Sequence, residues 1–377
     1  MTLLIRRIIL REILLPLKEP FQISSGTVKD RRIFLLELHD LDGVVGWSEC
    51  VAGEFPNYSS ETIDTAWLAI REWIAPRVLE QEFSGPQEIY SLLNNDIRGN
   101  NMAKAAVEMG AWEVTARSKS ISLSQLLGGV RKKIEVGISL GIQQSPSALA
   151  EKVQQSIKLG YRKVKIKIKP GKDIEFVKVV REIVGKDAPL MVDANNAYTL
   201  RDVDILKKLD EFGLLMIEQP LAWDDVVQHA KLQQVLTTPI CLDESITGVD
   251  KAEDMVALGS GKIINIKPGR VGGFLSSISI HNYCADHGIP VWCGGMLESG
   301  VGRAHNVALA SLSNFSLPGD LSPSSRYWER DIVLPEWTMD KDGMVTVPVD
   351  KPGMGVEVDM PYIEKLTVRS ETLTSRA

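Results

Sequence analysis

The sequence predicts an α/β fold, a closed (β/α) barrel joined to a smaller α+β capping domain, and three observations predict it. From about residue 134 onward, short apolar runs alternate with longer amphipathic ones, as in repeated strand and helix units around a parallel sheet. Eight such runs recur at roughly twenty-five to thirty residues, which fits one closed barrel better than an open doubly wound sheet. No glycine-rich phosphate fingerprint follows the first run, and this argues against a dinucleotide-binding sheet.

The eight strand candidates are residues 136–141, 164–168, 190–193, 214–218, 240–243, 263–267, 291–293 and 316–321, each rich in Val, Ile, Leu or Met. Between them, residues 147–159, 174–184, 200–212 and 224–235 carry apolar positions three and four apart, the helical period. Most of these helices end at a glycine, Gly160, Gly185 or Gly213, as a left-handed C-cap requires. Ahead of residue 125 the texture changes: strand-like segments at 4–16 and 32–40 precede long helical ones at 60–78 and 102–118. The expected organisation is therefore a cap from residues 1–125, a barrel from 126–322, and a segment 323–377 that rejoins the cap.

Composition bounds the function. The 377-residue chain is 44% hydrophobic and 24% charged, an ordinary globular balance. A formal net charge of -6 and the lack of a long Lys/Arg run leave no stripe to attract phosphate backbones, so nucleic-acid binding is not expected. The apolar stretch at 3–15 is interrupted by Arg6, Arg7, Arg11 and Glu12 and is neither a signal-peptide core nor a membrane span. Cys50, Cys241, Cys284 and Cys293 form no Cys-x-x-Cys pair and read as reduced, buried thiols of a cytoplasmic protein.

The reacting groups of a (β/α) barrel belong at the C-terminal ends of its strands. Five consecutive strand candidates end in charge: Lys165-Ile166-Lys167, Asp193, Glu218, Asp243 and Lys267. Successive members from Lys167 are 26, 25, 25 and 24 residues apart, one strand-helix unit each. Singly, such an Asp is commonly the N-cap of the next helix, and a lone Lys165-Ile166-Lys167 is commonly a solvated strand edge. Five in register on five strands are not expected of packing. Asp193, Glu218 and Asp243 present oxygen ligands around one point, which suits a hard cation, Mg²⁺ or alternatively Mn²⁺; with no His or Cys among them, zinc is disfavoured.

Because side chains alternate along a strand, Lys165 and Lys167 share the inward face, and Lys267 stands beyond the three acidic strands. A substrate carbon at the metal is then accessible from both sides. The chemistry that needs this arrangement is removal of a proton α to a carboxylate, whose dianionic enediolate requires positive charge nearby. A lysine serves as the base only if its pKa falls toward neutrality, and Lys165 beside Lys167, the metal, and Arg270 near Lys267 are the expected causes.

These residues resemble the enolase superfamily, and within it the muconate-lactonizing-enzyme subgroup. The segments that carry the resemblance are Lys165-Ile166-Lys167-Ile168-Lys169-Pro170-Gly171, Val192-Asp193-Ala194-Asn195, Ile217-Glu218-Gln219-Pro220-Leu221, Leu242-Asp243-Glu244-Ser245 and Asn265-Ile266-Lys267-Pro268-Gly269-Arg270. More narrowly, residues 103–109, 294–303 and Gly319-Asp320-Leu321-Ser322 look like the o-succinylbenzoate synthase and N-succinylamino acid racemase family. The resemblance implies a (β/α)7β-type TIM barrel and a homo-oligomer. It also implies a small carboxylate substrate with a succinyl group, acted on by dehydration in menaquinone biosynthesis, by racemisation, or by both.

By the same resemblance Lys167 is the acid/base on one face. Lys267 stabilises the intermediate in dehydration or exchanges the proton in racemisation. Ser139, Asn195, Arg270 and the backbone of Gly295, Met296 and Leu297 lie along the substrate, and Phe21, Ser24, Gly26 and Tyr58 belong to capping loops. The role of Glu298, substrate contact or buried supporting acid, stays open. Muconate cycloisomerisation needs only one of the lysines as acid. Dipeptide epimerases of the subgroup hold an α-ammonium with Asp-x-Asp on the last strand, where this chain reads Asp320-Leu321-Ser322. A barrel that binds without catalysis is the alternative of another class, and it leaves two inward lysines and three acids without a use.

Overall fold

The computed structural model describes residues 2–23 and 26–375, with 21–23 and 26–29 as backbone only. The cap is an antiparallel sheet of β1 (Leu3–Ile23), β2 (Gly26–Asp40) and β3 (Val45–Cys50), with the C-terminal strand Thr367–Thr374 on the far side of β1. The run Ile33-Phe34-Leu35-Leu36-Glu37-Leu38 has no polar outer face because β2 is covered on both sides. Ile33 and Leu35 join the barrel core, whereas Phe34, Leu36 and Leu38 pack under the cap helices. In β1 the buried positions change parity, Ile8 and Leu10 but Ile13 and Leu15, across an irregularity at Glu12/Ile13 that re-aims the strand.

The barrel sheet is parallel and follows chain order: β4 (Gly137–Leu140), β5 (Lys163–Lys167), β6 (Leu190–Asp193), β7 (Ile217–Glu218), β8 (Ile240–Leu242), β9 (Ile263–Ile266) and β10 (Val291–Cys293). The eighth expected strand, 316–321, is not a regular strand. Pro318 has no N–H to give to a ladder. The segment still bridges both edges: the Gly137 N–H donates to the Gly319 carbonyl at 2.6 Å and the Asp320 N–H to the Cys293 carbonyl at 2.9 Å. The helix expected at 200–212 is a single α-helical run, Val203–Lys208, between two short 3₁₀ turns, and it stops at Gly213, left-handed at φ 57°.

The tail divides. Met344–Thr346 pairs with Lys133–Glu135 just ahead of β4 rather than with the cap, and the last strand, Thr367–Thr374, pairs with β1. All four cysteines are buried and free, and among the described residues no helix is long and apolar enough to cross a membrane.

Buried glutamates of the cap hold helix N-termini of the barrel. Glu49 of β3 accepts from the amides of Ser299 and Gly302 at 3.0 and 3.2 Å, at the start of helix Gly300–Leu309. Glu108, on cap helix Asn101–Ser118, accepts from the amides of Phe274 and Leu275 at 2.8 and 3.0 Å, opening helix Phe274–Asp286. A carboxylate there meets exposed N–H groups and the positive end of the helix dipole. Gly273, at φ 124°, is required at the second contact, because a Cβ there would stand 2.4 Å from the Glu108 carboxylate.

Burial pushes the Glu108 carboxyl up to about 7 against the three N–H groups that favour its charge. A raised folded-state pKa means stability is full below about pH 4.5 and declines as pH rises through 7, by about 3 kcal/mol in all. Thermal denaturation should therefore show the wild type losing stability relative to Glu108→Gln between pH 5 and pH 8. Parallel pH profiles would contradict this assignment.

Candidate active site

The five charged strand ends converge. In register, Lys167 of β5 lies beside Asp193 of β6, and Asp193 beside Glu218 of β7. Asp243 follows β8 and Lys267 follows β9. All five side chains are buried, as are Lys163 and Lys165. Period-two alternation puts Lys163 on the same inward face as Lys165 and Lys167. Lys163 thus extends the inward pair Lys165 and Lys167, a pattern carried by Lys163-Val164-Lys165-Ile166-Lys167.

Each carboxylate is held by cations. Lys167 Nζ lies 2.6 Å from Asp193 Oδ2 and 2.7 Å from the Asn195 side-chain oxygen. Lys165 Nζ lies 3.1 Å from Glu218 Oε2, 3.5 Å from Asp193 Oδ2 and 2.6 Å from Asp320 Oδ2. Lys267 Nζ donates to Asp243 Oδ2 at 2.8 Å, and the Arg270 guanidinium bonds the other oxygen of the same carboxylate. The remaining Glu218 oxygen accepts from Asn265 Nδ2 at 2.8 Å. Buried charges persist only when paired and hydrogen-bonded, and removing one partner of such a pair costs about 3–5 kcal/mol.

These pairings outweigh burial for two of the lysines. Burial alone would lower the lysines, but Asp320, Glu218 and Asp193 together hold Lys165 well above the ordinary lysine value, and Asp243 does the same for Lys267. For Asp243, burial pulls upward and is outweighed by Lys267 and Arg270. Glu218 behaves oppositely: burial, then the neighbouring Asp193, push it up to about 8.

Among the described residues no three His, Cys, Asp or Glu side chains are arranged to hold a metal ion, since each carboxylate is turned toward a lysine or arginine. The donor chemistry nonetheless fits a hard divalent cation. Asp193, Glu218 and Asp243 are buried all-oxygen donors on adjacent strands.

Backbone strain clusters at the same mouth. Asn195 and Asn196 after β6, Gln219 after β7 and Leu297 after β10 all have positive φ, at 41°, 64°, 37° and 57°. Such conformations cost of order 1–3 kcal/mol each and persist where the surroundings over-determine them. Gln219 shows how: its side-chain oxygen accepts from the Asp243 amide at 2.9 Å and its nitrogen donates to Ser245 Oγ at 2.6 Å, tying the ends of β7 and β8. The sequence reading missed this role, and that of Glu244, whose carboxylate accepts from Asn195 and Asn196 at 3.4 Å.

Of the expected substrate contacts, Ser139 stands opposite Lys165 in register and buries a hydroxyl with no partner among the described residues. Tyr58 reaches from the cap to donate to Asp243 Oδ1 at 2.9 Å and accept from Lys267 at 3.2 Å. Arg270 is committed to Asp243, Tyr58 and the carbonyls of Ile246 and Asn265. Gly295, Met296 and Leu297 form the loop after β10, with the Met296 amide already given to Glu298 at 2.8 Å. Glu298 is therefore a buried support, held in turn by Arg303 and Asn306. Ser24 and the side chain of Phe21 lie outside the described residues, and Gly26 is fixed only as the backbone partner of Ile23. A cleft of about 330 Å³ runs between Tyr58, Met102, Trp223, Glu244 and Arg270 toward this cluster.

Two family models match: "Mandelate racemase / muconate lactonizing enzyme, N-terminal domain" over residues 5–128 and "Enolase C-terminal domain-like" over 148–362. An o-succinylbenzoate synthase of Geobacillus stearothermophilus is 50% identical over 97% of both chains. An N-succinylamino acid racemase of Thermus thermophilus is 46% identical over 95% of this chain and 96% of its own. A crystal structure of an enolase-superfamily protein from Listeria innocua superposes with TM-score 0.95 at 42% identity, covering 99% of each chain. The chain belongs to the enolase superfamily.

Gly294 follows β10 where a Cβ would stand 2.3 Å from the Asn265 side chain and 2.7 Å from Lys267 Cε. Gly294→Ala is expected to displace Lys267 and lower turnover by about tenfold or more while the fold is kept. A variant as active as the wild type would refute this close approach.

Proposed function

We propose that this member of the enolase superfamily removes the proton α to a carboxylate in a succinyl-bearing acid, as an o-succinylbenzoate synthase, an N-succinylamino acid racemase, or both. The observation that carries the reading is the placement of Lys167 on Asp193 and Lys267 on Asp243, one at each flank of the three carboxylates. An α carbon seated between them faces an ammonium or amine on either side. Relatives matched over nearly their full length carry the name of one activity or the other, which supports considering both reactions here.

Asp193, Glu218 and Asp243 would hold Mg²⁺, with Mn²⁺ as a substitute. When bound, the ion would supply Lewis-acid stabilisation of the enediolate and would take up carboxylate charge that otherwise holds Lys165 and Lys267 protonated. Lys167 exchanges the α proton on one face. Lys267 either exchanges it on the other, inverting the centre, or as a cation stabilises the intermediate while Lys167 returns the proton to the departing hydroxyl, which leaves as water. Lys165 adds fixed positive charge, Asn195 orients Lys167, and the unpartnered hydroxyl of Ser139 faces the substrate.

Charge balance favours a dianion. Counted by formal charge, the five acids Asp193, Glu218, Asp243, Glu244 and Asp320 match the five bases Lys163, Lys165, Lys167, Lys267 and Arg270 one for one. A divalent cation with a dicarboxylate keeps that balance, whereas a dipeptide, bringing its own ammonium, does not. Ser322 stands where the second acid of an ammonium-holding pair would be, and Asp320 is engaged by Lys165, which further disfavours epimerisation of dipeptides. The four buried free thiols suit a cytoplasmic setting.

Lys167→Ala and Lys267→Ala should each lower turnover by about a thousandfold or more with the fold intact. Full activity in either would defeat the two-lysine mechanism. In D₂O, each enantiomer of N-succinylphenylalanine should acquire deuterium at the α carbon, and absence of exchange with both removes the racemase activity. A parallel assay on the cyclohexadiene carboxylate precursor of o-succinylbenzoate decides the synthase activity.

A further inference from the structure

Deeper in the barrel lies a second charged group that the chemistry above does not use. Lys163 is fully buried, with Nζ 3.2 Å from the centroid of the Trp292 ring and 3.4 Å from Asp320 Oδ1. The Trp292 indole N–H donates to Cys241 Sγ at 3.3 Å, which fixes the ring beneath the lysine. Gly137 stands opposite Lys163 in register, and a Cβ there would meet Lys163 Cε at 2.7 Å, so a glycine provides the space. The other Asp320 oxygen makes the shortest of the three contacts to Lys165, 2.6 Å against 3.1 Å to Glu218 and 3.5 Å to Asp193.

Three carboxylates thus compete for one ammonium, and two of them belong to the proposed metal set. An ammonium resting on Asp193 and Glu218 occupies the same lone pairs that a divalent cation needs. Asp320 stands on the closing segment, outside that set. We propose that Asp320, ion-paired with Lys163 on its other oxygen, is a positioning residue that draws Lys165 toward the closing segment and so keeps Asp193 and Glu218 open to the divalent cation. This inference rests on the metal reading of the three carboxylates.

Mn²⁺ titration, followed by loss of the free-ion electron paramagnetic resonance signal, tests it without reference to turnover. Asp320→Asn should weaken Mn²⁺ binding by about tenfold or more, because Lys165 then falls onto Asp193 and Glu218. Lys163→Gln should weaken it less, in the same direction. Adding Lys165→Met to Asp320→Asn removes the competing ammonium, keeps the interior neutral, and should restore affinity to within about threefold of wild type. Unchanged affinity in Asp320→Asn, or no recovery in the folded double variant, overturns the inference and leaves the metal reading standing. No Mn²⁺ binding by the wild type overturns both. If Asp320→Asn does not fold, Lys163→Gln with and without Lys165→Met decides by the same criteria.

Discussion

Charge neutrality inside the barrel is the constraint on which the rest of the structure depends. Burying Asp193, Glu218 and Asp243 away from water is tolerable only with cations at hydrogen-bond distance, and Lys165, Lys167, Lys267 and Arg270 provide them. Parallel strands make this possible in a small space. Each strand contributes one inward position per layer at its C-terminal end, so neighbouring strands place acid and base side by side without a turn or loop having to aim them.

The same economy of position explains the glycines and the strained residues around the cluster. Gly294 is small because Lys267 and Asn265 occupy the space a side chain would take, and Gly137 is small because Lys163 does. The left-handed backbone at Asn195 and Gln219 turns the chain sharply off the strand ends, and side-chain hydrogen bonds from those residues then lock Lys167 and Asp243. Strain and close packing are concentrated where the orientation of a charged group matters.

The cap is bound into this arrangement rather than laid over it. Glu49 and Glu108 satisfy the exposed amides of two barrel helices, and Tyr58 brings a hydroxyl from the cap to Asp243, Lys267 and Arg270. A displacement of the cap would leave buried carboxylates and helix ends unpaired together, so the cap and the barrel mouth form one electrostatic unit.

The sequence by itself determined the barrel, the run of charged strand ends and the inward pair of lysines, because strand period and unit length are local properties written directly in the residue order. Lys163 obeyed the same period and was legible on the same grounds. Other features depended on which segments meet. The eighth segment closes the sheet by a few backbone bonds on each edge rather than a regular ladder, Pro318 having no N–H to give, and the strand-like piece at Met344–Thr346 pairs beside the barrel instead of the cap. Lys165 and Lys267 are held protonated rather than poised, since their nearest neighbours in space are carboxylates from other strands, Asp320 beside Lys165 among them, and not the adjacent cations the sequence shows. Electrostatic environment is set by distances across the barrel, and only the tertiary structure decides those.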